Sequence, residues 1–162
     1  MHRTRLAGIS AATLVAIAVA GGPAAASVGF SGTEHFTFVS TATGNSNRSS
    51  AILTGAFVDG GTAILPGKGK ATLALRKGKI FAQPSNQSKA KMTVDKTACY
   101  ATFSQSGKVK LTGGTGAYAG ITGHGSFKSV GSLVGPFKNG KCDVNASPVA
   151  AQFATSGTLT LG

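Results

Sequence analysis

Acid–base or nucleophilic chemistry needs a base, a nucleophile or paired carboxylates within reach of one substrate atom. This chain supplies few such groups. Its four acids are Glu34, Asp59, Asp95 and Asp143, and its histidines beyond the N-terminal one are His35 and His124. The acids fall in four different segments. Asp59 and Asp95 stand beside Gly60 and Lys96 in turn-like surroundings, where an Asp carboxylate commonly accepts from backbone N–H groups. Asp143 follows Cys142 in a polar loop and reads as solvated. Glu34 and His35 are adjacent on one expected strand, so they point to opposite faces and share no substrate atom. His124, between Gly123 and Gly125, is the titratable group best suited to chemistry. A neutral imidazole there, facing a cavity, exchanges a proton near neutral pH. The plainer reading is an exposed residue on a bent strand.

No nucleophile elbow, zinc signature, phosphate loop or dinucleotide fingerprint occurs. Gly114-Thr115-Gly116 looks like a nucleotide-binding turn, but Gly120, Gly123 and Gly125 leave no helix to follow it. Neither Cys99 nor Cys142 has a His or second Cys at ligand spacing. The sequence therefore calls for no metal, no cofactor and no catalytic residue, and it leans away from an enzyme. In an exported chain, its only two cysteines favour a Cys99–Cys142 disulfide, which contributes roughly 4 kcal/mol in the chain-entropy treatment.

Export itself is read from residues 1–26. Arg3 and Arg5 begin the segment, Leu6 to Ala20 is apolar and uncharged, and Ala24-Ala25-Ala26 offers a cleavage site before Ser27. Gly21, Gly22 and Pro23 stop the apolar run short of a membrane span. The expectation is a secreted protein with no transmembrane anchor in its mature form and one domain over 27–162.

That domain is expected to be all-β. Glycine numbers 24, Thr, Ser and Val abound, and no apolar period of 3.6 persists. Short alternating runs recur every 8 to 15 residues or so, the spacing of a barrel or a sandwich. Strands are expected over 34–43, 50–58, 62–65, 70–76, 79–83, 89–94, 99–104, 109–112, 125–134 and 149–161. Turns are expected at Asp59-Gly60-Gly61, Lys77-Gly78, Asp95-Lys96-Thr97 and Gln105-Ser106-Gly107, and a loop over 135–143. Asn47-Arg48-Ser49, Asn86-Gln87-Ser88 and Asn145-Ala146-Ser147 match the glycosylation triplet and mark polar loops.

The formal charge is +12, or +10 once Arg3 and Arg5 leave with the leader. The excess is concentrated between Lys68 and Lys110. Such a balance suits polyanions, including anionic polymers of a cell envelope. Nucleic acid is not an expected partner, because Phe81 is the only aromatic between Lys68 and Lys96 and stacking has nothing to use. The plain alternative is that these lysines are solvated strand faces and edge guards.

Glycine crowds the stretch Gly113 to Gly125, with Thr115, Tyr118, Ile121 and Thr122 between. It reads as a tight turn feeding a strongly bent strand, as in a small closed barrel. Leu111-Thr-Gly-Gly-Thr-Gly-Ala-Tyr-Ala-Gly-Ile-Thr-Gly-His-Gly125 resembles the glycine-rich strand of the allene oxide cyclase and dirigent-like superfamily, and most of all small exported bacterial proteins with that barrel. A Phe-rich first strand, a Cys strand before the motif and the late Lys141-Cys142 and Pro148-Val149 pairs follow the same order. The resemblance implies a closed antiparallel barrel of about eight strands with an interior cavity, and a tendency to form oligomers. The plant members' cyclase and radical-coupling activities do not carry over, because their cavity residues find no counterparts here.

Three functions follow as expectations. The first is a non-enzymatic barrel holding a small apolar or aromatic ligand, lined by Phe36, Phe38, Phe57, Phe103, Tyr118 and Phe127, with His124 near the mouth. Ordinary core packing is the plain reading of the same six aromatics. The second is a basic surface that contacts an anionic envelope polymer, and the third a cyclase or isomerase.

Overall fold

The computed structural model describes residues 29–42, 48–65 and 69–162. The expected leader and its cleavage point lie outside the described residues. These residues form strands and no helix. In order they are β1 (Gly32–Ala42), β2 (Arg48–Gly55), β3 (Asp59–Ile64), β4 (Ala71–Leu75) and β5 (Gly78–Ser85). Then come β6 (Lys91–Asp95), β7 (Tyr100–Gly116), β8 (Gly123–Val134), the short β9 (Phe137–Lys138) and β10 (Lys141–Cys142), and β11 (Ala150–Leu161).

Eight strands close an antiparallel barrel in the order β1, β2, β3, β4, β5, β7, β8, β11, with β11 returning to β1 from Gly32↔Leu161 to Ala42↔Ala151. The β5–β7 pairing, Gly78↔Gly116 through Ser85↔Lys108, joins what would be the two edges of a sandwich. A sandwich is therefore excluded. Strand β6 stands outside and pairs only with β7.

Period-two alternation sets the inward face. On β1, Glu34, Phe36 and Phe38 are buried while His35, Thr37 and Val39 are exposed. Leu53, Ala63, Leu73, Ile80, Leu111, Leu159 and Leu161 complete the core from other strands. Each fully buried large aliphatic contributes about 2 kcal/mol.

Many glycines are explained by the aromatics opposite them. Phe36 pairs with Gly157, Phe127 with Gly107, and Gly131 with both Phe103 and Phe153. A Cβ on Gly107 would lie 2.7 Å from Phe127 Cζ, and one on Gly157 would overlap the Phe36 ring. A small lumen admits a ring only where the neighbouring strand gives up its side chain.

Four expected turns or bends sit differently. Asp59-Gly60-Gly61 is not a hairpin turn: these residues pair with Leu53, Ile52 and Ala51, and the chain reverses at Ala56-Phe57-Val58. Gln105-Ser106-Gly107 is not a turn but the middle of the 17-residue β7, with Gly107 present to clear Phe127. The Gly113–Gly125 stretch contains the expected tight turn, but the turn lies in its middle and not at its start. It ends β7, turns through Ala117–Gly120, and begins β8 at Gly123. Finally, the loop expected over 135–143 contains the β9–β10 ribbon, turned by Asn139 and Gly140 at φ 52° and 73°.

Strand β7 changes neighbours along its length. Its second half pairs β5 inside the barrel, and its first half pairs β6 outside it. The far parts of β1, β8 and β11 accompany that first half, so a sheet continues past one barrel end. Rows such as Met92–Phe103–Gly131–Phe153–Ser40 extend the lumen-facing side beyond the barrel. At its tip the Cys99–Cys142 disulfide, Cα–Cα 5.1 Å, ties the β6–β7 turn to β10.

Candidate ligand-binding site

The barrel has one plugged end and one end with space. At the plugged end Phe30, Phe57 and Tyr118 stack on one another, with centroids 5.2 Å apart for Phe30–Phe57, 5.7 Å for Phe30–Tyr118 and 5.1 Å for Phe57–Tyr118. The β7–β8 turn carries Tyr118 over the opening, held by Tyr118 N donating to Thr115 O and Ile121 N to Tyr118 O. Tyr118 and Ile121 are buried as a result.

Two carboxylates lie beneath this plug, and their environments push them apart. Asp59 accepts from Tyr118 Oη at 2.5 Å, Gly60 N at 2.7 Å, Lys77 N at 3.1 Å and Arg76 Nε at 3.3 Å. Burial alone would raise its pKa, but these donors, led by Tyr118, outweigh burial and hold it well below the usual carboxylate range. The same pair works in reverse on Tyr118, whose burial and Asp59 acceptor push its hydroxyl well above the ordinary phenol range. Tyr118 thus stays protonated as a permanent donor. Glu34 is also fully buried. Its Oε2 accepts from Phe57 N at 3.1 Å, and its Oε1 has no partner among the described residues. Burial pushes the Glu34 pKa up, and the Phe57 N–H pulls back only part of that.

The space lies toward the other end. A cavity of about 170 Å³ is lined mainly by apolar side chains, among them Phe36, Phe38, Leu73, Val109, Phe127 and Leu159. Ala71 and Ala82 keep the opposite wall low. Gln87, Gln105, Ser129 and Thr155 stand at its rim on the side of the sheet extension. Ser129 and Thr155 share a hydrogen bond of 2.8 Å, and Gln105 Nε2 donates to Ser88 O at 2.9 Å. Neither Glu34, Asp59 nor Tyr118 belongs to this lining. The cavity can enclose an apolar body and orient it with neutral polar groups at one end; among the described residues its lining offers no acid or base.

The structure sorts the seven residues singled out from the sequence into four places. Phe36, Phe38 and Phe127 come together in the cavity. Phe57 and Tyr118 belong to the plug. Phe103 lies on the extension against Phe153, centroids 5.4 Å apart. His124 does not face a cavity: it is exposed on the outer wall, in register with Lys110 and Thr160. The parity of β8 that turns Phe127 inward turns His124 outward.

Sequence reasoning missed Glu34 and Asp59. Glu34 shares the parity of Phe36 and Phe38, a signal that was present. Asp59 was hidden by its turn-like neighbours Gly60 and Gly61. The rim residues come from four separated segments and had no local signal. Among the described residues no group of three His, Cys, Asp or Glu is placed to hold a metal ion, and no helix is long and apolar enough to cross a membrane. No family model, no curated protein and no solved structure matches the chain.

Proposed function

We propose that this barrel binds one small apolar or aromatic molecule in its lumen, without covalent chemistry. The observation that carries the reading is the apolar cavity of about 170 Å³ under Phe36, Phe38 and Phe127. A dry apolar cavity of about 150 Å³ accepts a benzene-sized guest. Drug-sized ligands need roughly 300 Å³ or more. The occupant is therefore one ring, or a short aliphatic chain, with any polar substituent directed toward Gln87, Gln105, Ser129 and Thr155.

The compartment belongs to the same proposal. The Cys99–Cys142 bridge favours an oxidising setting, in keeping with the export leader read at 1–26. The closed eight-strand barrel, with the Gly113–Gly125 stretch at one of its turns, supports kinship with the allene oxide cyclase and dirigent-like superfamily. Among the described residues the lining contains no titratable side chain, which favours binding over a cyclase or isomerase.

Titration calorimetry with phenol, indole and a long-chain fatty acid tests the reading. Phenol or indole is expected to bind one to one, and the fatty acid not to bind. Ala82→Phe fills the cavity and should weaken binding at least tenfold, while His124→Ala on the outer wall leaves it unchanged. If Ala82→Phe fails to fold, Leu73→Ala serves instead: it widens the cavity and should admit a larger ring system. Undiminished binding to a folded Ala82→Phe protein would place the ligand outside the lumen.

A further inference from the structure

The positive charge of the barrel wall has no use in lumen binding, and the wall's makeup suggests what it meets. Lys108 and Lys110 project outward from β7, and Lys128 and His124 from β8. His35 projects from β1 beside Thr158, whose Oγ1 lies 3.3 Å from His35 Nδ1. All five are exposed. Lys108 and Lys110 are two residues apart on one strand, so their stems start about 7 Å apart. Lys128 lies in the next row on the neighbouring strand, opposite Ser106.

No acid balances them. Glu34 and Asp59, two of the four acids, are buried inside the barrel. Asp95 and Asp143 sit beyond the barrel, at the β6–β7 turn and after β10. There each is occupied by local backbone donors: Thr97 N and Ala98 N for Asp95, Asn145 N for Asp143. None of Lys108, Lys110 and Lys128 forms an ion pair among the described residues. Guarding a sheet edge does not explain them either, because β7 and β8 are paired on both sides at these positions. Such edges are presented by β6, with Lys91, and by the β9–β10 ribbon, with Lys138 and Lys141.

The side chains between the lysines are hydroxyls. A shallow depression of about 470 Å³ on this wall is lined by Lys108 and Lys128 together with Ser106, Ser126, Ser156, Thr158 and Asn86, and by Phe127, which also lines the lumen cavity. No Phe, Tyr or Trp side chain projects from these rows, which are Lys108–Ser126–Thr158–His35 and Ser106–Lys128–Ser156–Thr37. Nucleic acid held without sequence preference relies on stacking as well as charge, and these rows offer ammonium groups, hydroxyls and the His35 imidazole but no Phe, Tyr or Trp. We infer that the β7–β8–β11 wall docks a hydroxyl-bearing anionic polymer, a chain of sugar or polyol units with a carboxylate or phosphate on its repeats. Ammonium groups meet the anions, and the Ser and Thr rows exchange hydrogen bonds with the polymer's hydroxyls. The inference stands independently of lumen binding.

The test compares polygalacturonate, poly(glycerol phosphate) and oligothymidylate of matched charge, by fluorescence titration of the purified protein at 50 and 150 mM NaCl. One of the first two polymers should bind, and which one binds more tightly identifies the anion. The triple variant Lys108→Gln, Lys110→Gln, Lys128→Gln should lose at least tenfold in affinity, and its salt slope should fall by roughly 2 through lost counterion release. A control triple, Lys89→Gln, Lys91→Gln, Lys96→Gln, removes the same charge from β6 and its flanks and should lose less than threefold. Equal losses in the two triples would mean that net charge alone attracts the polymer, and would overturn the inference. So would tighter binding of oligothymidylate, or no binding by either hydroxylated polymer. Unchanged thermal unfolding of both triples shows that the comparison concerns surfaces and not folding.

Discussion

Replacing Tyr118 with Phe removes one oxygen and leaves the ring stack with Phe30 and Phe57 in place. What goes is the donor to Asp59 at 2.5 Å, in a site where Asp59 is 2% exposed. A hydrogen bond to a charged group contributes about 1.5–3 kcal/mol. Gly60 N, Lys77 N and Arg76 Nε remain as donors, so the carboxylate is not orphaned. The expected loss at pH 7 is about 2 kcal/mol, or roughly 6–8 °C in Tm for a domain of this size. The pH dependence carries the sharper test. Asp59 has a depressed pKa in the fold, so its contribution is fully present above the unfolded carboxylate pKa and is lost as pH falls through the folded one. Tyr118→Phe lessens that depression. The gap between the two proteins should therefore be full at pH 7 and narrow as pH drops below about 4. At the other extreme, the raised Tyr118 pKa gives stability that is complete below about pH 10 and is lost as pH climbs toward the folded value. The variant lacks that alkaline loss. Urea denaturation followed by circular dichroism at pH 2.5, 7 and 10.5 reads all three regimes. Equal stability at pH 7, or a gap at pH 2.5 and 10.5 as large as the one at pH 7, would refute the charge-assisted bond.

Glu34→Gln keeps an acceptor for Phe57 N and removes a buried charge. The raised Glu34 pKa means its contribution is present below about pH 4.3 and lost as pH rises through the folded value. The variant should therefore gain on the native protein as pH rises from 4 to 8, and a native advantage growing with pH in denaturant melts would contradict the burial argument. Gly157→Ala drives a methyl into the Phe36 ring and the Ser126 carbonyl, at an expected cost of about 1–3 kcal/mol. Phe36→Leu in the same chain should recover part of that loss, and additive losses in the double variant would show that ring and glycine are not coupled. Cys99→Ser with Cys142→Ser should cost about 2–4 kcal/mol. Because the bridge sits at the tip of the extension, limited proteolysis should cut within 135–148 first; cleavage starting in β2 or β3 would contradict that placement.

The all-β class and the alternation along β1, β4 and β11 were legible because alternation is a local property, whereas which face turns inward is set by the assembled barrel. Ala71 and Leu73 share one face of their strand by spacing, and the closed barrel buries that face. The disulfide was legible because only two cysteines exist. The failures share one cause. Gly60-Gly61 and Gly107 carry the composition of turns, yet they are strand residues whose missing side chains make room for other strands. Gly61 lies against the Ala74 carbonyl and Gly107 against Phe127. That reason exists only once the strands are assembled, so no window of the chain displays it. His124 was misplaced for a related reason. A strand expected only from Gly125 left His124 outside it and its parity detached from Phe127, three residues on, whereas a strand starting at Gly123 fixes both. The cavity lining could be read only through its phenylalanines, since Leu65, Gln87 and Thr155 meet through tertiary folding alone.

The pairing of β1 with β11 has a consequence for how the molecule assembles. Every other barrel seam joins strands close in sequence or nearly so, and hairpins of that kind form early and at little entropic cost. The β1–β11 seam brings Gly32 to Leu161, almost the whole length of the domain. Until residues 150–161 are available, β1 and β8 both present open edges, and the lumen has no fourth wall. Barrel closure therefore waits for β11, and it is the slow step expected in refolding. A chain cut short by even this one strand should be prone to pair with its neighbours in solution.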